Sequence, residues 1–511
     1  MGTRFARTVI AAALSTLMGA SHASERESLE QLRSTTLSLI EALVEQGVLT
    51  KEKAQSIIKD AQTRAAAGHG AKSAGDKPAT VRVPYVPEVV KNEIREQLKQ
   101  EIIAQARTER WAEPNAVPGW VDRFSLDADL RVRLQTERFA ADNSPPAFFQ
   151  VQGQSNVTNT LEDRERLNVR ARLGFLMQSP EAINGGIRIT TGSTSSPVST
   201  SSTLGNSFGK HSIALDRAWM SYRPLEWLRL QGGRMPNPFL STDLVWHNDL
   251  GFDGLAVALA PLDRPDRAVK PFLTAGAFPV QEVELSSRDK WLFGVQGGAE
   301  FQWGARTRFK LGAGYYHFDN MAGTPNVPAT PNLNDFTAVQ FRQKGNTVFN
   351  IDADGNPATN LYALAANYRL ATLTAVLDLA QWDPVHVVLS AEAVKNIGFD
   401  RDEIAQRTGF TVDRQTRGHQ VRVSLGYPSV RERHEWQVFA GHRYLQADAV
   451  LDAFNDADFH LGGTNHKGYF FGASYGVGRN AAVNMRWMSS RQITGLPLSI
   501  DVLQLDFGVR F

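Results

Sequence analysis

The sequence predicts an all-β transmembrane antiparallel barrel of about sixteen strands, following an α-helical N-terminal region. Three observations predict it. From Phe124 onward apolar residues recur with period two, the spacing of a strand with one apolar face. Many of these runs reach about 10–15 residues, whereas strands of soluble sheets average about 5–6. The connections between them alternate long and short, as in a barrel with one turn end and one loop end. After the N-terminus no stretch reaches the ~18 apolar residues of a membrane helix, so any crossing must be made by strands.

Composition narrows the function classes. The chain has 511 residues, no cysteine, 55 Lys plus Arg against 53 Asp plus Glu, and a net charge of +2. A disulfide framework and a cysteine-ligated metal are excluded, and nothing in the charge balance points to nucleic acid.

Residues 1–23 read as a signal peptide: Arg4 and Arg7 precede a short apolar core from Val9 to Met18. Ser21-His22-Ala23 offers small residues for cleavage. Residues 24–112 read as a helical, coiled-coil-like periplasmic region. Leu29, Leu32, Thr36, Leu39 and Leu43 form a short heptad stripe, and a second helix spans about Lys51–Ala67. Gly, Ala, Lys and Pro dominate a linker at 69–84, and a third helix spans about Pro87–Trp111. These stripes associate between subunits under a trimeric pore, fold back on the barrel mouth or the cell wall, or pack on themselves as a hairpin. The barrel domain is 113–511.

Strands are expected near 124–139, 164–178, 184–193, 211–223, 226–234, 251–261, 269–278, 289–303, 305–318, 368–381, 385–396, 417–428, 434–445, 467–478, 480–490 and 499–511. With the first strand running outward, the long connections (140–163, 194–210, 235–250, 319–367, 397–416 and 446–466) are extracellular. Leu361–Asp378 is read as a loop tail feeding one strand. Splitting it would give an odd total and reverse the later loop lengths. Apolar faces such as Leu167/Val169/Ala171/Leu173/Phe175 and Val421/Val423/Leu425 should meet lipid. Aromatics near segment ends, among them Trp291, Trp303 and Trp436, suit interfacial girdles.

The chain closes on Leu503, Leu505, Phe507, Val509 and Phe511, alternating with polar residues. This stretch resembles the C-terminal strand of Gram-negative outer-membrane barrels. The resemblance implies pairing with the first strand and a role for Phe511 as an assembly signal read by the barrel assembly machinery. Four further stretches, Leu39–Thr50, Val81–Glu88, Asp216–Pro224 with Gly233–Phe239, and Asp458–Asn465, resemble the putative porin family of proteobacterial outer-membrane β-barrels. That resemblance implies a barrel pore in the outer membrane, among lipid and lipopolysaccharide. It names no solute.

The polar strand faces should line the lumen with Arg131, Arg133, Arg170, Arg172, Arg188, Arg229, Arg308, Lys310, Arg422 and Arg486. Acids on these faces, such as Asp127, Asp129, Glu300, Glu392 and Glu435, are fewer. An excess of cations favours anions; cross-strand pairing of the same charges would cancel it. The connection Met235–Leu250 lies between the fifth and sixth strands, where general porins carry an inward loop. Its Asp243, Trp246, His247 and Asp249 are the candidate constriction; a loop capping the rim is the alternative. Asp448, Asp452, Asn455, Asp456 and Asp458, like Asp352–Asn356, lack EF-hand spacing and read as solvated loops, so no metal site is expected. His211-Ser212 alternates across a strand and cannot form a dyad. No catalytic residue or cofactor is assigned, and no enzyme is expected. Two functions remain: a porin passing small hydrophilic solutes, with mild anion preference, or a non-conducting, adhesin-like or envelope-tethering barrel with an occluded lumen.

Overall fold

The computed structural model describes residues 123–179, 182–259, 267–284, 286–356 and 358–511. The signal peptide, the helical region at 24–112 and its linker lie outside the described residues.

Sixteen long strands form one antiparallel sheet closed on itself. In chain order they are β1 (Phe124–Phe139), β2 (Arg164–Gln178), β3 (Ile183–Thr191), β5 (Ile213–Leu225), β6 (Leu228–Pro236), β7 (Gly251–Leu259), β8 (Val269–Gln281), β9 (Lys290–Trp303), β10 (Thr307–Asp319), β13 (Arg369–Trp382), β14 (Val385–Asn396), β15 (Arg417–Gly426), β16 (Trp436–Leu445), β17 (His466–Gly478), β18 (Ala481–Gln492) and β19 (Ser499–Arg510). The short β4 (Ser202–Thr203) adds to β2, while β11 (Val348–Asn350) and β12 (Tyr362–Leu364) form a separate ribbon. Tyr362–Leu364 therefore belongs to a loop, and a single barrel strand follows it.

Each long strand pairs with its sequence neighbours, and β19 pairs with both β18 and β1. The closing register runs from Asp129 opposite Arg510 to Phe139 opposite Ile500. Beyond the strand end, Phe511 donates its backbone N–H to the Ala128 carbonyl at 2.8 Å. Among the described residues the barrel sheet keeps no free edge for another chain to add to.

Burial is the inverse of a soluble sandwich. Leu126 is 60 % exposed and Leu373 50 %, and Val132, Phe175, Val423, Phe471 and Leu505 on the same outward face are exposed too. Water would not tolerate this continuous apolar wall; lipid requires it. Near the short-turn end the wall carries Trp227, Trp303, Trp382 and Trp436, all exposed. Trp303 stacks on Phe309 at 6.1 Å.

The main core lies inside the barrel, toward the long loops. It joins loop residues Phe239, Leu244, Trp246, Phe349, Ile351 and Leu451 to the inward Phe252, Phe278, Leu292 and Tyr316. Two short helices, α1 (Pro146–Val151) and α2 (Arg401–Thr408), lie in the same loops. The Asp400 side chain caps α2 and Gly409, at φ 80°, ends it.

An outward Val423→Arg exchange should cost ~2–4 kcal/mol of folding into vesicles, because guanidinium then faces hydrocarbon. Inward Ser424→Arg should cost far less. Urea titration of the refolded barrel checks this, and equal costs would contradict the assigned faces.

Candidate functional site: the lumen and its inward loop

The inward faces of β15, β16, β18, β1, β2, β3 and β5 carry arginines along one contiguous half of the lumen. Arg131 and Arg133 come from β1, Arg170 and Arg172 from β2, and Arg188 from β3. Arg422, Arg443 and Arg486 complete the half from β15, β16 and β18. Strict alternation would send Asp216 and Arg217 to opposite faces. A register shift between β3 and β5 places Arg217 opposite Arg188 and Leu215 opposite Ile189, leaving Asp216 between. Asp216 pairs with Arg188.

Most of these cations are paired. Arg133 bonds Asp506 at 2.7 Å and Asp458 at 3.1 Å. Arg170 meets Asp129 at 3.0 Å, and Arg172 bonds the same carboxylate. Nearer the short-turn end, Arg308 pairs with Asp378 at 2.8 Å and Lys310 with Glu300 at 2.9 Å. Arg229 lies on the inward face of β6, opposite Ala258. Three arginines differ. Arg217 and Arg422 have no ion pair among the described residues, and the carboxylate near Arg131 stands at 3.7 Å. Arg422 lies 3.8 Å over the Phe439 ring, a cation–π contact that holds it against the wall. That ring fits because its neighbour is glycine: a Cβ on Gly472 would meet it at 2.1 Å.

The connection after β6 enters the lumen. Pro236 ends the strand, and Asn237 accepts the Phe239 N–H at 3.0 Å, an Asx turn that bends the chain inward. The loop then crosses from wall to wall. Leu240 exchanges hydrogen bonds with Gln296 of β9, at 2.7 Å each way. The Thr242 hydroxyl donates to Glu392 of β14 at 2.6 Å. Asp243 meets Arg443 at 2.8 Å and Arg486 at 3.7 Å. Trp246 packs edge-on against Phe252 and Tyr316, both at 5.2 Å. Asp249 reaches β2, bonding Arg172 at 2.8 Å. The loop is thus inside the barrel, not on its rim. Its acids touch the arginine wall directly. Trp246 belongs to the apolar core.

The connection after β16 also folds inward. His247 donates its N–H to the Phe454 carbonyl at 2.7 Å, joining the two loops. Asp456 bonds Arg443 at 2.9 Å and Arg486 at 3.2 Å. Asp448 accepts from Thr347 and from the Tyr368 hydroxyl at 2.9 Å. These aspartates are buried and partnered, so the expectation of a solvated loop fails for them. Asp352–Asn356 is a solvent-facing loop, as expected, and runs through successive Asx turns. Burial would raise the Asp243 carboxyl, but Arg443 and Arg486 outweigh it and hold it far below the usual range. Burial likewise opposes Arg133 and Arg486 at Asp458, and again the cations win. Asp452, whose burial outweighs Arg342, is pushed up to about 7.

A family model described as "Putative porin" matches residues 33–511. The chain belongs to the putative porin family. Membership puts this barrel in the outer membrane. Three solved structures illustrate what the porin's fold is similar to. Pseudomonas putida OprB is 13 % identical, with 77 % of this chain and 96 % of that one covered at a TM-score of 0.46. The outer-membrane channel DcaP of Acinetobacter baumannii is 12 % identical, covering 76 % and 97 % at 0.41. Salmonella typhi OmpF is 10 % identical, covering 76 % and 97 % at 0.42. No curated protein sequence matches the chain.

The lumenal residues that sequence reasoning did not single out include Arg217, Arg443, Asp216, Asp378, Asp456 and Asp506. Arg443 was within reach, since Phe439, Gly441 and Arg443 share the inward parity of β16. The bulge at Asp216 leaves no signal in the alternation. Glu435, read as inward, precedes β16 and instead accepts the backbone N–H groups of Arg431 and Glu432.

Proposed function

We propose that this porin forms a water-filled channel for passive diffusion of small hydrophilic solutes, with a mild anion preference. The observation that supports it most is the uneven pairing of the arginine wall. Arg217 and Arg422 have no carboxylate partner among the described residues, and Arg131 is only loosely paired. Uncompensated cations in a narrow aqueous path concentrate anions. Asp243, His247 and Asp249 would set the width of that path, because their loop is pinned to opposite walls. Phe511 would serve as the assembly signal. The proposal includes export through the signal peptide at 1–23, a periplasmic helical region at 24–112, and a homotrimer. It assigns the chain no enzymatic role.

A second reading, a barrel with an occluded lumen, draws on the junction between the two inward loops. Asp456 donates its N–H to the Asp243 carbonyl at 3.2 Å, so the loops share one seat. Swelling of proteoliposomes in isosmotic small sugars and amino acids separates the readings. Swelling that falls with solute size supports the channel. Correctly folded barrels that cause none support occlusion.

A further inference from the structure

Where the long-loop ends of β6, β8 and β9 meet the connections after β3, β10 and β16, a cavity of about 430 Å³ opens. Small-molecule sites run from roughly 300 to 1,000 Å³. Met321, Val339, Phe341, Leu364 and Phe454 give it apolar walls, and Lys290 reaches it from the barrel. Lys290 opens β9 and shares the inward parity of Leu292 and Gln296.

The charge on this lysine is left over. Lys290 is 3 % exposed. Its ammonium donates to the Ala338 carbonyl at 2.9 Å, which leaves two N–H groups without a partner among the described residues. No ion pair offsets it among those residues either. A buried charge with no counter-charge is costly to folding. The other charged groups on the cavity do not supply one. Arg234 is a cation that Asp253 already engages at 2.7 Å. Asp452 is the one carboxylate among the lining residues, forms no ion pair with Lys290, and burial pushes its carboxyl up to about 7.

We propose that this cavity binds a small amphipathic monocarboxylate, an acid carrying one ring or branched chain. Its carboxylate accepts from the two spare N–H groups of Lys290, and its apolar body lies against Phe341, Leu364 and Phe454. One spare cation calls for one negative charge, and the apolar walls would leave a bare inorganic anion poorly solvated. The inference goes beyond the channel reading: the acid can be held here whether or not the lumen conducts.

The test titrates the full chain in detergent, by calorimetry, with 3-phenylpropanoate, its neutral amide, acetate and inorganic phosphate. One 3-phenylpropanoate per chain is expected. The amide should bind about thirtyfold more weakly, since it loses the charge-assisted bonds. Acetate should bind about tenfold more weakly or worse, since it loses the apolar contact. Lys290→Met keeps the stem and should lose about thirtyfold in affinity. Its melting temperature should not fall, because an uncompensated buried charge is gone. A lysine that only props the Ala338 carbonyl would give the opposite pair, unchanged binding with a lower melting temperature, and would overturn the assignment. Should Lys290→Met misassemble, Ser196→Trp fills the cavity from its loop side and should abolish binding; binding that survives it would place the acid elsewhere. No binding by the parent, or amide, acetate or phosphate held as tightly as 3-phenylpropanoate, would also overturn the assignment.

Discussion

Replacing Arg443 with alanine is expected to free both inward loops and raise single-channel conductance. Its guanidinium is fully buried and bonds Gln420 at 2.6 Å, Asp456 at 2.9 Å and Asp243 at 2.8 Å. It also lies 4.9 Å over the Phe459 ring. Removing one partner of a buried ionic cluster costs ~3–5 kcal/mol, because the charges left behind keep their desolvation penalty. Here two carboxylates are left, with Arg486 near both and Gln420 donating to Asp243 at 2.7 Å. The cheapest relief is for the loops to leave their seat and hydrate, which widens the lumen. The sixteen-strand wall owes nothing to this cluster, so heat-modifiable gel mobility should persist. Arg443→Lys keeps the charge but loses the fork that spans both acids, and should fall between. Conductance identical to the parent in Arg443→Ala would mean that the loops do not narrow the path.

The second large effect is expected at Trp246. Trp→Ala at a packed site costs ~3–5 kcal/mol. Trp246 contacts Phe252, Tyr316, Phe318 and Phe454. Phe454 belongs to the loop after β16, so one truncation loosens both loops. Externally added protease should cut near residues 237–250 in the variant and spare the parent. The double variant with Arg443→Ala should cost less than the sum, because both remove the same docked state. Full additivity would indicate two independent loops.

The barrel was legible because its solvent is lipid. Outward positions within the hydrocarbon must be apolar, so alternation persists along the middle of each strand, and the expected bounds 124–139 and 164–178 recur as β1 and β2. The lumen was less legible. A polar loop inside a wet barrel has the composition of one in bulk water, so Asp448–Asp458 read as solvated. Which it becomes depends on cations from strands far away in sequence, such as Arg133 and Arg486. Candidate constriction acids could be named from their place between two strands, but their partners could not. Arg217 was hidden by a bulge, and Arg422's seat on Phe439 depends on Gly472 across a strand pair.

The pairing also bears on acid. Asp243 and Asp458 are held below the ordinary carboxylate range in the folded barrel. A lowered folded value contributes stability above the unfolded value and loses it as pH falls through the folded one. The seat of the two loops should therefore survive mild acid.

A conducting lumen with uncompensated arginines should show itself in the reversal potential of the parent barrel in a planar bilayer with asymmetric KCl. Open steps and a modest potential of the sign set by chloride are expected, reduced in Arg217→Gln with Arg422→Gln. A potential of the opposite sign, or no steps from folded protein, would rule out an anion-preferring channel.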